Sequence, residues 1–257
     1  MLELKDITKY YNTGTINETC LFRNFNLTIE DGRFVSIVGS NGSGKTSLLN
    51  MICGSIFVDA GTIHIGNEDI THMPEFKRQR RIGRVYQNPA MGTCPHMTIL
   101  ENMSLADNKG RRFNLRPGID RRRTDHYREQ LKALGLGLED KLHVKAGALS
   151  GGQRQAMALL MAAMTPIEFL ILDEHTAALD PRTAETIMEL THTIVKEKKL
   201  TTVMVTHNLQ HAARYGDRLL MMHQGKTVLD LAGREKAAVS PRDLLEKFSA
   251  VSILWEN

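Results

Sequence analysis

The sequence predicts an α/β fold in which a mostly parallel sheet is covered by helices on both faces. Three short, strongly apolar stretches have the pattern of buried strands, at residues 34–38, 169–172 and 202–205. A helical pattern separates the second stretch from the third, at residues 181–198. Buried parallel strands are nearly continuous apolar runs, and helical crossovers connect them. The alternation of such runs with helices therefore predicts a parallel sheet between two layers of helices.

The composition is that of an ordinary globular chain. Its 257 residues are 42% hydrophobic and 24% charged, which allows one large core or a core with a small subdomain. The longest apolar runs, at residues 156–164 and 169–172, are far shorter than the roughly 20 residues that cross a bilayer. The first residues lack the basic-then-apolar order of a secretory signal, so we expect the chain in the cytoplasm. The three cysteines form no CxxC pair, which indicates neither a disulfide framework nor a zinc site.

A glycine-rich loop follows the first apolar strand and opens a helix. Short β-like stretches at residues 2–7 and 27–29 come before that strand. A helix is predicted over residues 45–53, where apolar residues recur at helical spacing and Gly54 ends the run. The loop consists of Gly39, Ser40, Asn41, Gly42, Ser43, Gly44, Lys45 and Thr46.

This loop has the chemistry of a phosphate site. Its glycines let successive backbone N–H groups turn toward one point, at the positive end of the following helix. Lys45 adds a point charge for the outer phosphates, and the Thr46 hydroxyl is a ligand for Mg²⁺ that bridges them. The alternative is a plain glycine-rich turn, but the order of strand, loop and helix favours a nucleoside triphosphate site.

Two carboxylates, Asp173 and Glu174, follow the second apolar strand. At the end of a buried strand, Asp173 can hold a water of Mg²⁺, and Glu174 can polarise an attacking water. Taken alone, such a pair is equally typical of a solvated turn. The phosphate loop upstream favours the hydrolytic interpretation.

A helical, arginine-rich segment separates the loop from these carboxylates, from about residue 91 to 148. It is broken at Arg116-Pro117-Gly118, and its clearest helix is predicted over residues 127–134. We interpret the segment as an inserted helical subdomain. The expected division is 91–154 for this subdomain, and 1–90 with 155–257 for the remaining core.

Seven of the 33 lysine and arginine residues of the chain are crowded into residues 109–123 of this segment. The net charge is +4. Because aromatic residues are not interleaved with the basic ones, we expect no nucleic-acid partner. Contact with anionic lipid headgroups is the other interpretation, for a chain that docks beneath a membrane. The basic residues are Lys109, Arg111, Arg112, Arg116, Arg121, Arg122 and Arg123.

A second candidate anion site precedes the apolar helical run at residues 156–164. Ser150 can cap this helix, and Gly151 and Gly152 can expose free N–H groups. One chain does not easily fold two such sites onto one nucleotide, so we expect this site to face the nucleotide of another subunit. A plain helix cap followed by a glycine turn is the alternative.

The last part of the chain is predicted to form a hairpin and a helix. Strands at residues 218–223 and 226–231 flank Gln224-Gly225, and a short helix begins near Ser240-Pro241. The tail from residue 240 to 257 indicates no function.

The stretch Leu149-Ser150-Gly151-Gly152-Gln153, placed between the phosphate loop and Asp173-Glu174, resembles the signature of the ATP-binding-cassette (ABC) family. ATPase subunits of this family power membrane transporters. The resemblance covers roughly residues 2–231. It implies a P-loop NTPase (RecA-like) core with an antiparallel β subdomain and an inserted α-helical subdomain. It also implies a dimer in which two cassettes meet head to tail and bury two ATP molecules between phosphate loop and signature.

The resemblance implies a role for other matching residues. Tyr11 matches the aromatic residue that stacks on adenine, although Tyr10 is an alternative. Gln87 matches the glutamine that touches Mg²⁺ and water and senses the transmembrane partner. Asp180 matches the aspartate that crosses the dimer interface, and His207 matches the histidine that contacts the γ-phosphate.

Together these matches define the expected site. The catalytic residues are Glu174, His207 and Lys45, and the Mg²⁺ ligands are Thr46, Gln87 and Asp173. ATP and Mg²⁺ are the expected cofactors. The nucleotide-binding residues are Tyr11, the loop residues Gly39, Ser40, Asn41, Gly42, Ser43, Gly44, Lys45, Thr46 and Ser47, then Gln87, Ser150, Gly151, Gly152, Gln153 and Asp180.

One residue departs from the family pattern. His175 stands where the family usually has proline, directly after Glu174. A second titratable ring beside the hydrolytic site could tune the rate or the pH response. The interpretation that we favour is that this ring points away without effect.

The resemblance predicts an ATPase subunit that dimerises on ATP and drives a separate membrane permease from the cytoplasmic face of the membrane. An importer is favoured, with an extracytoplasmic substrate-binding protein as an indirect partner. The segments at residues 88–93 and 174–180 resemble those of cassettes that work with a lipoprotein-type binding protein and a branched-chain-amino-acid-like permease. This resemblance suggests a small nutrient such as an amino acid as the transported solute, with aromatic amino acids among the candidates. The alternatives are a non-transport cassette ATPase that acts on DNA or ribosomes, and a regulatory module that binds ATP without hydrolysis.

Overall fold

The computed structural model describes residues 1–111 and 118–255, with the backbone alone for 251–255. The strands in this part are β1 (Leu2–Tyr11), β2 (Thr19–Ile29), β3 (Phe34–Gly39), β4 (Ala60–Ile65), β5 (Glu68–Asp69), β6 (Ile82–Val85), β7 (Phe169–Asp173), β8 (Thr201–Val205), β9 (Arg218–His223) and β10 (Lys226–Ala232). The helices are α1 (Lys45–Cys53), α2 (Glu75–Arg78), α3 (Ile99–Asp107), α4 (Thr124–Lys132), α5 (Gly151–Met164), α6 (Pro181–Lys198), α7 (Leu209–Arg214), α8 (Gly233–Ala238) and α9 (Pro241–Trp255).

The central sheet has six strands in the order β10-β9-β3-β8-β7-β6. All neighbouring pairs from β9 to β6 are parallel, and β10 adds an antiparallel edge. The strands β3, β8 and β7 are therefore neighbours whose carboxyl ends lie at one edge. The predicted α/β fold with a mostly parallel sheet is confirmed, and this edge collects the loop after β3 and the residues after β7 and β8.

A second, antiparallel sheet has the order β2-β1-β4-β5. Its first two strands are longer than the sequence pattern predicts, because their pairing continues to Tyr11, which lies opposite Thr19. Cross-strand pairing is a long-range contact that local composition does not report. This sheet packs with α1 and one face of the central sheet around a shared cluster of buried apolar side chains.

The helical segment has a hydrophobic cluster of its own, formed by side chains of α3, α4, α5 and the turns between them. The cluster also takes in Ile187 of α6. The boundary expected between residues 154 and 155 falls inside α5. The division of the chain into a core and a helical subdomain remains a prediction.

The helices of this segment differ in part from the prediction. The sequence pattern predicted a helix at residues 127–134, whereas α4 spans Thr124–Lys132. The helix α3 was missed although it carries a capping box, in which Thr98 and Glu101 exchange hydrogen bonds at its start.

Part of the basic cluster is accounted for by internal contacts. Arg123 lies 2.8 Å from Asp107, and Lys109 donates to the Ile82 carbonyl at 3.1 Å. Arg112, Arg116 and the break at 116–117 lie outside the described residues. In the described ranges, we find no helix with the length and apolar character needed to cross a membrane.

The turn between β9 and β10 touches the phosphate loop and the antiparallel sheet. The Gly225 N–H donates to the Ser43 carbonyl at 2.9 Å, and the same turn packs against the backbone of Leu21 in β2. His223 is the last residue of β9, and its Nδ1 atom lies 3.4 Å from the Ser40 Oγ atom of the phosphate loop. Three segments that are far apart in the sequence thus meet at the loop.

Candidate functional site

The phosphate loop runs from the end of β3 into the first turn of α1. Gly44 caps this helix with φ 101°, a left-handed conformation that side chains rarely adopt. A Cβ atom at this position would also lie 2.8 Å from the Phe22 ring. The α1 N-terminus therefore keeps its free N–H groups and its positive dipole end at the loop, which suits phosphate.

Lys45 lies within the loop rather than in solvent. Its ammonium donates to the carbonyls of Gly39 and Ser40, both at 2.8 Å. Burial lowers the pKa of Lys45, and the nearby carboxylates of Glu174 and Asp173 oppose that shift. The structure thus brings the loop lysine and the two carboxylates within electrostatic reach of one another.

Tyr11 ends β1 beside the start of α1. Its hydroxyl donates to the Ser47 Oγ atom at 2.9 Å. The Tyr10 N–H donates to Asp59 at 2.6 Å, and successive side chains of a strand face opposite sides. Of the two candidate tyrosines, the structure places Tyr11 next to the phosphate loop.

Glu174 and His207 meet at the ends of β7 and β8. The backbone brings them together, because the Glu174 N–H donates to the Val205 carbonyl at 3.0 Å. The His207 Nε2 atom then lies 2.6 Å from Glu174 Oε1. The carboxylate is mostly buried, with 16% of its side chain exposed, whereas the histidine ring is 44% exposed. One oxygen of the mostly buried Glu174 carboxylate is thus held by the His207 ring, which contacts solvent.

Glu174 has an unusual backbone, with φ 47°. A non-glycine residue in this left-handed region is uncommon and carries about 1 kcal/mol or more of strain. The hydrogen bond to Val205 and the acceptance of the Ala177 N–H at 2.9 Å maintain it. Strained residues of this kind cluster at functional sites, and this one carries the candidate hydrolytic carboxylate.

Asp173 is paired with an arginine that the sequence analysis did not include in the site. The Arg84 guanidinium donates to Asp173 Oδ2 at 2.8 Å. Arg84 lies in β6, a strand of four residues that the sequence pattern did not reveal. The available signal was its position three residues before Gln87, which is itself exposed in the structure.

The oxygen donors present fit Mg²⁺. Thr46 supplies a hydroxyl and Asp173 a carboxylate, and Mg²⁺ prefers such oxygen ligands and takes phosphate oxygens as further ligands. Within residues 1–111 and 118–255, no group of three or more His, Cys, Asp and Glu side chains is arranged to hold a metal.

The signature segment begins α5. Ser150 caps the helix, because its Oγ atom accepts from the Gln153 N–H at 3.2 Å while Gln153 Oε1 accepts from the Ser150 N–H at 3.3 Å. The Gln153 amide donates to the Leu136 carbonyl at 3.1 Å, which ties the helix start to the helical segment. The candidate anion site is thus a helix N-terminus with a fixed cap.

The signature also contacts the start of α6. A Cβ atom at Gly152 would lie 2.3 Å from Thr183 Cγ2, so only glycine fits this approach. Asp180 caps α6 by accepting from the Thr183 N–H at 3.1 Å. Hydrogen bonds from Thr183 lower the pKa of Asp180. Thr183 therefore contacts both residues, because its methyl group packs against Gly152 and its N–H donates to Asp180.

His175 lies in the core and not in the site. Only 2% of it is exposed, and its Nε2 atom lies 3.1 Å from Thr191 Oγ1. The Thr191 hydroxyl donates to Ile187, so its oxygen accepts from the Nε2–H of a neutral ring. Burial, together with a smaller effect of His211, lowers the pKa of His175 to about 3.

The loop, the strand-end carboxylates and the parallel sheet define a P-loop nucleotide-binding protein. A family model described as "ABC transporter" matches residues 22–177. The chain belongs to the ABC transporter family and is the ATP-binding subunit of a transporter, an ATPase coupled to transport.

Among curated relatives, a tyrosine transport ATP-binding protein of Clostridioides difficile is 46% identical over 248 residues, which cover 96% of this chain and 98% of that relative. A spermidine/putrescine import ATP-binding protein of Pasteurella multocida is 34% identical over 238 residues, or 91% of this chain and 59% of that relative. A solved dimer of the ATP-binding cassette MJ0796, bound to ADP and Pi in a post-hydrolysis state, has a TM-score of 0.76 and 32% identity. It covers 90% of this chain and 98% of the solved chain.

Proposed function

We propose that this chain is the ATP-hydrolysing subunit of an importer, and that it energises uptake of an amino acid through a separate membrane permease. The observation that carries the proposal is the contact between Glu174 and His207, which follow the neighbouring strands β7 and β8, with Lys45 at the start of α1 within electrostatic reach of Glu174. The tyrosine transport relative, which is 46% identical along almost its whole length, supports the choice of substrate. Tyrosine or another aromatic amino acid is the proposed solute.

The proposed nucleotide site extends from Tyr11 to the phosphate loop and the carboxylates at the end of β7, and the Tyr11 hydroxyl contacts Ser47 at the start of α1. The adenine ring stacks on Tyr11, and the loop N–H groups with Lys45 hold the phosphates. Thr46, Asp173 and Gln87 are the proposed Mg²⁺ ligands. The metal, when bound, supplies charge neutralisation for the outer phosphates.

Hydrolysis depends on the pair at the strand ends. Glu174 accepts a hydrogen bond from the attacking water and orients its oxygen toward the γ-phosphorus. A bond forms between that oxygen and phosphorus, the bond to the bridging oxygen of ADP breaks, and the water proton leaves toward Glu174. His207 positions the carboxylate and stabilises charge on the γ-phosphoryl oxygens.

Two copies of the chain form the working unit. In this proposal, Ser150, Gly151 and Gly152 of one subunit contact the γ-phosphate held by the loop of its partner, while Asp180 crosses the interface. The solved cassette dimer, a structural neighbour of this chain, supports this arrangement. Work comes from the difference in dimer stability between the ATP and ADP states. That difference passes to a permease at the cytoplasmic face of the membrane, which receives solute from an extracytoplasmic binding protein.

The test is purification of the tagged Glu174→Gln variant from solubilised source membranes with ATP and Mg²⁺. We expect a dimer bound to a polytopic membrane protein, because the variant does not hydrolyse its ATP and therefore stays in the ATP-bound state. Glu197→Gln, an exposed carboxylate in α6, is the matched control and should not trap the complex. The same complex is then prepared with the wild-type subunit and reconstituted into vesicles. These vesicles should take up labelled tyrosine when ATP is supplied. Recovery of ribosomes or DNA-processing factors without a permease would contradict the proposal.

A further inference from the structure

Arg84 and Asp173 form a mostly buried ion pair at the ends of β6 and β7. Their side chains are exposed by only 10% and 14%. Charge-assisted hydrogen bonds in such surroundings are strong and weakly screened by salt. The carboxylate that is the proposed Mg²⁺ ligand therefore already has an internal cation beside it.

The other contacts of Arg84 lead to the segment of Gln87. Its guanidinium carbon lies 4.7 Å from the centroid of the Tyr86 ring, in a cation–π arrangement. The Tyr86 carbonyl accepts from the Gln155 amide of α5 at 3.1 Å. Among the described residues, the buried Nε atom of Arg84 has no hydrogen-bond partner. Within the described part of the chain, Asp173 and the Tyr86 ring thus contact this guanidinium from two sides.

We propose that Arg84 is a positioning residue that competes with Mg²⁺ for Asp173 and reports metal loading to the segment of Gln87. This inference rests on the proposed function, because it takes Asp173 as a metal ligand. A divalent cation at Asp173 repels the adjacent guanidinium and weakens the ion pair. The displaced charge then acts on Tyr86, the residue directly before Gln87. Metal loading and the position of the Gln87 segment become linked through one side chain.

The first test measures how much Mg²⁺ is needed for binding of a fluorescent ATP analogue. Arg84→Met removes the competing charge, so the half-saturating Mg²⁺ concentration should fall by about threefold or more. Arg84→Lys keeps the competing positive charge, so the half-saturating Mg²⁺ concentration should stay within about twofold of wild type. Arg81→Met is the matched control, because Arg81 also pairs with a carboxylate, Glu168, but at the opposite end of β6. An unchanged or higher Mg²⁺ requirement in Arg84→Met overturns the proposal.

The second test reads the Gln87 segment by hydrogen exchange of the backbone amides at residues 86–92. In wild type and in Arg81→Met, exchange with ATP and Mg²⁺ should differ from exchange with ATP and EDTA. In Arg84→Met this difference should be lost, whereas a merely structural role of Arg84 would leave it in place. If the methionine variant does not fold, Arg84→Gln takes its place in both tests. If wild type shows no Mg²⁺-dependent nucleotide binding at all, the proposed function fails, and that outcome differs from failure of the Arg84 proposal alone.

Discussion

His207 Nε2 lies 2.6 Å from Glu174 Oε1, so a pair of ionisable side chains joins the segments that follow β7 and β8. The contact depends on the sheet, because Glu174 is held by the carbonyl of Val205, which precedes His207 by two residues. The sheet therefore fixes the backbone positions from which both side chains extend. The two residues are therefore expected to act as one unit in hydrolysis.

We predict that Glu174→Gln and His207→Ala each lower ATP turnover by about 10²-fold or more, and that the double variant is little worse than either single variant. Residues that act together show non-additive losses. The measurement is steady-state phosphate release, with Glu197→Gln as the control of unchanged rate. Losses that multiply in the double variant would show that the 2.6 Å contact has no catalytic meaning.

Gly152→Ala should weaken the ATP-dependent dimer while leaving nucleotide binding by the monomer intact. The added Cβ would meet Thr183 Cγ2 at 2.3 Å and push the start of α5 away from α6. Dimer formation is measured by sedimentation in the Glu174→Gln background, and we expect about tenfold weaker association. Gly118→Ala is the control, because no atom of residues 1–111 or 118–255 lies within 4 Å of its added Cβ.

A second substitution makes that prediction specific. Thr183→Ser removes the clashing methyl group and keeps the hydroxyl, so it should restore the dimer of Gly152→Ala. Failure of this rescue would assign the effect to the flexibility of glycine rather than to the contact between α5 and α6.

Arg78→Met should lower the free energy of unfolding by about 3 kcal/mol. The Arg78 guanidinium donates to the carbonyls of Met51 and Ile52 at the end of α1, and to Thr71 and Met73 in the preceding loop. Its loss removes these four hydrogen bonds from mostly buried backbone carbonyls. Urea denaturation followed by circular dichroism measures the effect, with the exposed Arg80→Met as control. Equal stability of the two variants would contradict this assignment.

His175 should make the protein less stable as the pH falls below about 6.5. Burial lowers its pKa in the folded state to about 3, so only the unfolded chain binds the proton between these values. The contribution is absent above pH 6.5 and reaches about 2 kcal/mol of lost stability near pH 5. His175→Asn should flatten the decline, measured by urea denaturation at several pH values. His72→Asn, at an exposed position, should keep the wild-type slope.

Sequence reasoning was most accurate where local signals agreed with the fold. The helix α6 matches the predicted bounds, because Asp180 is its cap and Pro181 its first residue. The apolar strand β3 and the helix α1 were equally clear, since glycines separate them. The helix α3 shows an avoidable miss, because the capping box of Thr98 and Glu101 was visible in the sequence.

Other features could not be predicted because they depend on contacts between distant segments. The strand β6 has four residues, one of them Gly83, and it is recognisable only beside β7. The pairing of Arg84 with Asp173 spans 89 positions of the chain. The sequence also left open whether His175 faces the site or the core, because its direction depends on Thr191 in α6.

The contact of Gly225 with Ser43 has a consequence for the nascent chain. Residues 39–46 leave the ribosome long before the turn between β9 and β10 is synthesised. Until that turn arrives, the loop lacks its hydrogen bond from Gly225 and its neighbour His223, and β3 lacks its pairing with β9. We therefore expect a chain that lacks this hairpin to bind nucleotide more weakly than a chain that includes it.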